Sequence, residues 1–382
     1  MNSRNIAQWA VANLRQLMRE EGIGACVVAD PVNVTYVSGY VIAGQVGLAN
    51  TTAYALILPK EAILVAPASA QWEPPEWLEL IPYEDYSIER DIDIRREASA
   101  TLESALPRIA GVGKVAAELS TLPADAYHLL NACRGVEAVV ELGPRLWDLR
   151  AVKCQAEVEA IRRAVRAAET AFAAVERTIR TNSRELDVYA TCLAAIAEQA
   201  GGPAILDGDF VSGERSAGIG GPPTDRVLRE GDQLIVDIYP RLGAYWADVT
   251  RTFVLGEPTR AQMERHAVLE EALRAGEKAI APGVPTRELY ETVRAALARA
   301  GLAEHFPHHA GHSVGLTPSE GPRIIPGSQD RLQAGMVITL EPGVYLPGEG
   351  GMRLEDNFLV TEEGAISLSL YPRKLMVLGS RT

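Results

Sequence analysis

The stretch Leu234–Leu255, LIVDIYPRLGAYWADVTRTFVL, decides how the second half of this chain is interpreted. Two apolar, β-branched runs flank a turn that contains Pro and Gly, which predicts a β-hairpin. Each run carries one acid, Asp237 in the first and Asp248 in the second. A carboxylate in an apolar strand is costly unless it is paired, so these two acids suggest a shared divalent cation such as Mn, Mg, Co or Zn. The alternative is that both are ordinary hairpin acids, one of them paired with Arg251.

A second pair of acids stands in a similar context further along the chain. The segment 336–360 contains two apolar runs around a Gly-rich turn, with Glu341 in the first run and Glu355 in the second. Between the two hairpins, four of the six histidines fall within eight residues of the segment HFPHHAGHSVGL, 305–316. A single histidine is usually a satisfied polar residue, but a group of them between acidic hairpins is more typical of a metal site.

Composition favours a two-domain protein without a nucleic-acid or membrane partner. The 382 residues include 47% hydrophobic and 23% charged residues, and the formal net charge is −13. This length is enough for two domains, and the acidic balance disfavours binding to nucleic acid or to an anionic membrane. No apolar run approaches the length of a membrane span, and the N-terminal segment has an amphipathic helix pattern rather than that of a signal peptide. A cytoplasmic location is expected from the scattered cysteines, Cys26, Cys133, Cys154 and Cys192.

The sequence predicts an α/β domain at residues 1–145 and a catalytic domain at residues 146–382, with the boundary at Leu142–Pro144. In the first domain, we expect a turn at Asp30–Asn33 that leads into a strand, and a loop over residues 71–95. The second domain opens with a long amphipathic helix. It also contains two Ala-rich helices that each precede an acidic hairpin. This weak internal repeat would place a metal site on a pseudo-two-fold axis between two similar halves.

The segments LIVD-x10-D-x-T-R-T-F, GHSVGL, ITLEPGVY and RLED, in this order, resemble the creatinase/aminopeptidase P/prolidase family, the pita-bread metallohydrolases of peptidase family M24. The resemblance covers residues 150–370, and DPVNVTYVSGY is similar to the creatinase/prolidase amino-terminal domain. It implies an α/β creatinase-like N-terminal domain followed by an α+β pita-bread catalytic domain with a pseudo-two-fold repeat. A homodimer is also expected from this family.

The resemblance implies a set of ligands for two divalent metal ions, Mn, Co or Zn. Asp237 would chelate one ion, Asp248 and Glu355 would bridge both, and His312 and Glu341 would complete the second. Two ions held about 3.5–4 Å apart acidify a bridging water and polarise a carbonyl group. Glu341 is then expected to act as the general base that takes a proton from this water.

The resemblance is incomplete at the accessory histidines that hold the substrate and the intermediate in these peptidases. His308 matches one of them and is assigned a catalytic role. A second position holds Ser319, and the third aligns best with Gly220, in a region that has no histidine between residues 129 and 265. Such imidazoles donate hydrogen bonds to an oxyanion or transfer a proton to the leaving amine. A serine supplies only hydrogen bonds near neutral pH, so we expect poorer handling of an amine leaving group.

Substrate contacts are assigned to Arg353, Ser319 and Tyr245. Arg353 matches the arginine of the family's R-x-E motif, where it would hold either a ligand carboxylate or a substrate carboxylate. The alternative for Arg353 is a salt bridge that supports its own hairpin. Tyr245, His309 and Tyr239 are the candidates to replace the missing histidines.

Three functions are compatible with the sequence. The leading one is a dinuclear metal-dependent hydrolase of C–N (amide) bonds, of the Xaa-Pro aminopeptidase or dipeptidase type, acting on a small peptide or small-molecule amide. The second is a non-peptidase enzyme on the same scaffold, such as a creatinase-like C–N hydrolase or a lyase acting on a sulfonium propionate, which the missing histidines favour. The third is a binding protein, against which the retention of all the expected ligands argues.

Overall fold

The computed structural model describes residues 3–41, 52–70 and 72–379, and the chain divides into two compact units, Met1–Arg150 and Ala151–Thr382. The predicted boundary lies a few residues earlier, at Leu142–Pro144. Residues Gly143–Ala151 form a helix that carries the chain from the first unit into the second. The α/β character of the first unit and the α+β character of the second confirm the expected fold class.

The first unit is a mixed β-sheet with helices. Its elements in chain order are α1 (Ser3–Glu21), β1 (Ala25–Val28), α2 (Pro31–Ser38), β2 (Tyr54–Ile57), β3 (Ala62–Pro67), β4 (Glu79–Tyr83), α3 (Ile94–Ala105), β5 (Gly113–Ala117), α4 (Ala124–Ala132), β6 (Val136–Glu141) and α5 (Gly143–Ala151), the last ending in the second unit. The sheet has the order β4-β3-β2-β1-β5-β6. Strands β1, β2 and β3 are buried along their whole length, as expected when both faces of a sheet are covered.

Two local predictions for the first unit are wrong. The segment after Asp30 is helix α2, not a turn and a strand. Asp30 caps this helix by accepting hydrogen bonds from two backbone N–H groups of its first turn, and a proline occupies its first position. Both residues are typical of a helix start, so the signal was present in the sequence. Within the predicted loop at 71–95, residues Glu79–Tyr83 form the edge strand β4, which pairs in parallel with β3.

The second unit contains two similar halves. The elements of the first half are α6 (Gln155–Thr178), α7 (Glu185–Ala200), β7 (Ile205–Ser212), β8 (Gln233–Leu242), β9 (Tyr245–Trp246) and β10 (Val249–Leu255). Those of the second half are α8 (Arg260–Ala279), α9 (Thr286–Arg299), β11 (Gly311–Ser313), β12 (Glu320–Ile324), β13 (Val337–Leu340), β14 (Gly343–Leu346), β15 (Gly350–Arg353), β16 (Asp356–Thr361) and β17 (Gly364–Ser367), followed by β18 (Met376–Leu378). The main sheets have the orders β18-β10-β8-β7 and β12-β11-β13-β16-β17. In each half, two helices precede a sheet whose strands are antiparallel, apart from β18, which pairs in parallel with β10. The two Ala-rich helices of the predicted internal similarity are α7 and α9, the second helix of each half.

The second acidic hairpin differs from its prediction. Strand β13 ends immediately before Glu341, and β16 begins immediately after Glu355, so neither acid lies inside a continuous strand. Between them, β14 and β15 form a separate two-stranded ribbon. Pro342 follows Glu341 and lacks the N–H group that a strand interior requires, which explains why the strand breaks at this point. The break places both acids at the ends of strands.

The cysteines and helices add two facts about the chain as a whole. The four cysteines are free thiols in the described structure. Burial, with a smaller contribution from Glu21, raises the pKa of Cys26 to about 12, so this thiol behaves as a small apolar residue. None of the helices in the described part of the chain has both the length and the apolar character that a bilayer span requires.

Candidate metal centre

Asp237 and Asp248 come from the first half of the second unit. Asp237 lies within β8, opposite Thr250 of β10, and Asp248 directly precedes β10. Both acids are buried. The Tyr239 hydroxyl donates a hydrogen bond to Asp237 Oδ2 at 2.8 Å, which fixes one oxygen of this carboxylate.

Glu341 and Glu355 come from the second half and are anchored by backbone hydrogen bonds. The Glu341 N–H group donates to Ala310 O at 3.0 Å, and the Glu355 N–H group donates to Thr250 O at 3.1 Å. The Thr250 hydroxyl also donates to Glu355 Oε2 at 2.8 Å. Thr250 therefore joins the strand that follows Asp248 to the carboxylate of Glu355.

The orientation of His312 is set by its neighbour in β11. Its Nδ1 atom lies 3.0 Å from the carbonyl oxygen of Ser313. Because a carbonyl can only accept, Nδ1 carries the proton and Nε2 keeps a free lone pair. Nε2 lies 3.3 Å from Asp248 Oδ2 and 3.6 Å from Glu341 Oε1. The imidazole therefore presents its metal-binding nitrogen to the acids.

The predicted ligands converge, and their free oxygens fit a divalent cation. Asp248, His312 and Glu355 have donor atoms within 4.8 Å of one another. Among the described residues, one buried oxygen of each of the four carboxylates has no hydrogen-bond partner: Asp237 Oδ1, Asp248 Oδ1, Glu341 Oε1 and Glu355 Oε1. Such oxygens are costly when they are left unpaired, and they are the ligands that divalent cations accept. The residues present therefore fit a metal site.

The pKa shifts of the acids are those expected of a site for a cation. Burial, and then the charges of Asp237 and Glu341, raise the pKa of Asp248 well above its ordinary value. Burial, and then Asp248, do the same for the pKa of Glu355. Burial alone would raise the pKa of Glu341, but its interactions with His309 and the neighbouring histidines lower it to about 2. A cation at this point would relieve the repulsion among the ionised carboxylates.

Arg353 holds Asp237 and is itself fully engaged. Its side chain is 4% exposed. Its N–H groups donate to Asp237 Oδ2, Asp209 Oδ2 (2.8 Å), Tyr345 OH (2.9 Å), Ile219 O (3.2 Å) and Thr250 Oγ1 (3.3 Å). These contacts favour the role in which Arg353 holds a ligand carboxylate. Binding a substrate carboxylate would require one of these hydrogen bonds to be given up.

Arg251 supports a different acid from the one expected. Its Nη2 atom donates to Asp356 Oδ1 at 2.8 Å, and its Nη1 atom donates to the carbonyl oxygen of Glu355 at 2.7 Å. The described structure shows no ion pair between Arg251 and Asp237 or Asp248, so the alternative in which one of these acids is paired with Arg251 is wrong. The guanidinium instead fixes the backbone that carries Glu355.

His308 and Tyr345 form a hydrogen-bonded chain with Arg353. The Tyr345 oxygen accepts from Arg353 Nη1 at 2.9 Å and lies 2.9 Å from His308 Nε2. His308 Nδ1 lies 2.7 Å from the carbonyl oxygen of His309, so Nδ1 carries the proton and Nε2 accepts from the tyrosine. A substrate contact by His308 would replace one of these bonds. The sequence-based assignment missed Tyr345, although this residue ends the quoted motif ITLEPGVY.

Tyr239 and His309, two of the residues considered as replacements for the missing histidines, lie at the acids. Tyr239 contacts Asp237, as described above. His309 Nδ1 lies 2.9 Å from Glu341 Oε1, in a geometry that makes no hydrogen bond. His308, His309 and Glu341 have donor atoms within 4.8 Å of one another.

Tyr245 and Ser319 make contacts that give no support to a substrate role. The Tyr245 hydroxyl donates to Glu157 of α6 at 3.0 Å, and the ring is buried. Ser319 is half-buried in the bend between β11 and β12, where its Oγ atom accepts from Arg323 at 3.5 Å.

Four buried carboxylates and one imidazole, with a free ligand atom on each, form a donor set of the kind that divalent cations accept. Residues 159–362 match metallopeptidase family M24, and residues 11–152 match the creatinase/prolidase N-terminal domain. The chain belongs to metallopeptidase family M24. The expectation that the chain belongs to this family is thereby confirmed.

The relatives of the chain agree with this family. The chain is 39% identical to a probable dipeptidase PepE of Mycobacterium tuberculosis over 230 residues, which are 60% of this chain and 61% of that protein. It is 29% identical to an Xaa-Pro dipeptidase of Pyrococcus horikoshii over 367 residues, which are 96% of this chain and 98% of that protein. The crystal structure of an X-Pro aminopeptidase from Thermotoga maritima superimposes with a TM-score of 0.82 at 25% identity, covering 96% of this chain and 99% of that one.

Proposed function

We propose that this protein is a metal-dependent peptidase that hydrolyses the bond before proline in a short peptide. The observation that carries the proposal is that each of the four acids keeps one buried oxygen without a hydrogen-bond partner, while His312 Nε2 lies 3.3 Å from Asp248 Oδ2 and 3.6 Å from Glu341 Oε1. The substrate class is supported by relatives whose names describe Xaa-Pro dipeptidase and X-Pro aminopeptidase activity.

The proposed ligands are Asp237, Asp248, His312, Glu341 and Glu355, for two ions of Mn²⁺, Co²⁺ or Zn²⁺. The negative charges of the four carboxylates offset the positive charges of the two dications. When bound, such cations supply a Lewis acid for the peptide carbonyl and lower the pKa of a bound water.

The protein's own groups would orient the ligands and move the proton. Glu341 is the proposed general base, because its Oε1 atom is buried and faces both His312 and His309. Arg353 and Tyr239 hold one oxygen of Asp237, which leaves the other oxygen for a cation. His308 is the accessory imidazole that the chain retains, beside Glu341 at 3.8 Å.

This site has few groups that could assist departure of the leaving amine. Gly220 offers no side chain, and Ser319 offers only a hydroxyl where the family resemblance leads us to expect imidazoles. Loss of one such donor typically lowers turnover by about two to three orders of magnitude. We therefore expect a slower peptidase than one with all three histidines, unless His309 or Tyr239 takes over.

Two further proposals rest on the family resemblance and on the cysteines. A homodimer is proposed from the resemblance, and a cytoplasmic location is proposed from the free thiols. The substrate is proposed to be a small peptide, with no nucleic-acid or membrane partner.

A specific observation keeps a second function in consideration. The absence of two accessory histidines from the sequence favours a small-molecule amide or guanidine as substrate, or a lyase reaction, on the same scaffold. The convergent free oxygens argue against a role limited to protein binding.

The test is release of the N-terminal residue from a panel of Xaa-Pro and Xaa-Ala peptides by Mn²⁺-loaded protein. We expect turnover of Xaa-Pro peptides, and a loss of at least about 100-fold in Glu341→Gln because general-base catalysis is removed. Glu362→Gln, which makes the same charge change at an exposed residue, is the matched control. Absence of Xaa-Pro turnover by protein with metal confirmed bound would refute the peptidase and favour the second function.

A further inference from the structure

Gly220 and Asp209 compete for the same space. A Cβ atom added to Gly220 would lie 2.1 Å from Asp209 Oδ2, 2.4 Å from Asp209 Cγ and 2.6 Å from Asp209 Oδ1. Real Cβ contacts are not this short, so no side chain fits at position 220 while Asp209 keeps its rotamer. The next residue, Gly221, donates its N–H group to Asp209 Oδ1 at 2.8 Å. The carboxylate therefore fills the position that a side chain at 220 would occupy.

Asp209 lies beside the metal-ligand candidate Asp237. The two residues are directly opposite in the antiparallel pairing of β7 and β8. Because directly opposite residues point to the same face of a sheet, both side chains lie on the side that carries the metal centre. Arg353 Nη2 donates to both carboxylates. Asp209 is thus part of the same ionic cluster as a proposed ligand.

Asp209 differs from its neighbours in being open to solvent. A quarter of its side chain is exposed, whereas the side chains of Arg353 and Asp237 are each 4% exposed. Each Asp209 oxygen accepts one hydrogen bond from the protein and retains a second lone pair. The residue can therefore accept further hydrogen bonds from a group that enters from solvent.

The charge of Asp209 determines which kind of substrate group its carboxylate can bind. An ionised carboxylate only accepts hydrogen bonds, so it would repel an oxyanion or a substrate carboxylate and attract a cation. An imidazole in this space would donate to oxygen atoms of the substrate, so the carboxylate reverses the preference of the position. In a peptide with a free N-terminus, the cationic group common to every substrate is the terminal ammonium, attached to the carbon next to the scissile carbonyl.

We propose that Asp209, whose carboxylate occupies the space left by Gly220, is a specificity-determining residue that binds the free N-terminal ammonium group of the substrate. This inference rests on the proposed function as a peptidase. It makes the enzyme selective for peptides that are unmodified at the N-terminus.

The test compares alanylproline with propionylproline, which differs only by lacking the amino group. In Asp209→Asn, we expect kcat/KM for alanylproline to fall by about tenfold to a hundredfold, because a charge-assisted hydrogen bond is lost. The value for propionylproline is expected to change by less than about threefold, with unaltered bound metal. Asp225→Asn, which removes an acid that is 80% exposed and paired with Arg184, is the matched control. Equal losses for both substrates, or a loss of bound metal, would show that Asp209 acts only through Arg353 and would overturn the proposal.

Binding distinguishes failure of this inference from failure of the proposed function. If metal-loaded wild type cleaves neither compound, the peptidase proposal fails. Calorimetric titration with the same two compounds then tests whether Asp209 binds the ammonium group. We expect the wild type to bind alanylproline at least about tenfold more tightly than propionylproline, and Asp209→Asn to lose that difference. Equal affinities in the wild type would overturn the inference.

Variants at position 220 test separately whether a side chain there collides with Asp209. Gly220→His is expected to lower the melting temperature, because the new side chain collides with Asp209. Adding Asp209→Ala to Gly220→His should recover most of the loss and abolish the preference for alanylproline. A Gly220→His protein as stable as wild type would contradict the shared space.

Discussion

One added methyl group at Gly343 tests the hydrogen bonds that join Arg353, Tyr345 and His308 beside the candidate metal centre. A Cβ atom at this position would lie 2.5 Å from Tyr345 OH, 3.0 Å from Tyr345 Cζ and 3.0 Å from His308 Nε2. The backbone of Gly343 is not in the left-handed region, so alanine is conformationally acceptable there. The effect of Gly343→Ala should therefore come from contact with these two side chains.

The size of the effect follows from the distances. Ordinary van der Waals contacts of a Cβ atom lie at about 3.4–4 Å, so the tyrosine oxygen must move by about 1 Å. Such a shift would break the bond from Arg353 to Tyr345 or the bond from Tyr345 to His308. Overpacking of a buried site typically costs about 1–3 kcal/mol of stability. Misplacement of positioning groups by about 1 Å can lower turnover by about 100-fold.

The assay measures kcat/KM for alanylproline and the free energy of unfolding in urea. Gly327→Ala is the control, because a Cβ atom there meets none of the described residues within 4 Å. The double variant Gly343→Ala, Tyr345→Phe removes the colliding hydroxyl. It should regain stability without regaining activity, since the hydrogen bonds remain lost. If Gly343→Ala were as active and as stable as Gly327→Ala, the proposed role of these hydrogen bonds in activity and stability would be refuted.

Two further predictions concern buried ionisable side chains in the second unit. Burial, with a smaller effect of Arg251, lowers the pKa of His266 to about 4. The unfolded chain therefore binds the proton first as pH falls below about 6.5, and stability is lost on acidification. Relative to His266→Gln, the wild type should lose about 2 kcal/mol between about pH 8 and pH 5 in urea titrations, and a constant difference would contradict the buried neutral histidine. The second prediction concerns Lys153, which donates to Ser313 Oγ at 2.7 Å and lies 3.3 Å from Glu320 Oε2. The side chain of Lys153 is 1% exposed and that of Glu320 is 3% exposed. Lys153→Met should cost about 3–5 kcal/mol of unfolding free energy, because the buried carboxylate of Glu320 loses this cationic partner, and adding Glu320→Gln should restore part of it. A double variant no more stable than Lys153→Met would contradict this pairing.

The candidate ligands could be selected from the sequence because their chemistry is local and their order is distinctive. Acids within apolar runs are rare enough to mark Asp237 and Asp248, and the histidine group drew attention to His312. The structure brings these side chains together with Glu341 and Glu355. Their assignment as ligands stays a prediction.

The parts that the sequence could not supply depend on three-dimensional contacts. Asp209 belongs to none of the motifs in the sequence, and its place beside Asp237 comes only from strand pairing. The register of β7 against β8 is set by the packing of both strands, which single residues do not encode. Likewise, the partner of Arg251 is Asp356, which follows Glu355 and is separated from Arg251 by more than a hundred positions.

The most direct test of the central claim is hydrolysis of alanylproline by protein that has been stripped with a chelator and then returned to Mn²⁺. The account predicts no activity in the stripped protein, restoration by Mn²⁺, and no restoration in Asp248→Asn. Retention of full activity after complete removal of metal, or full restoration in Asp248→Asn, would contradict the assignment of the buried carboxylates as a catalytic metal site.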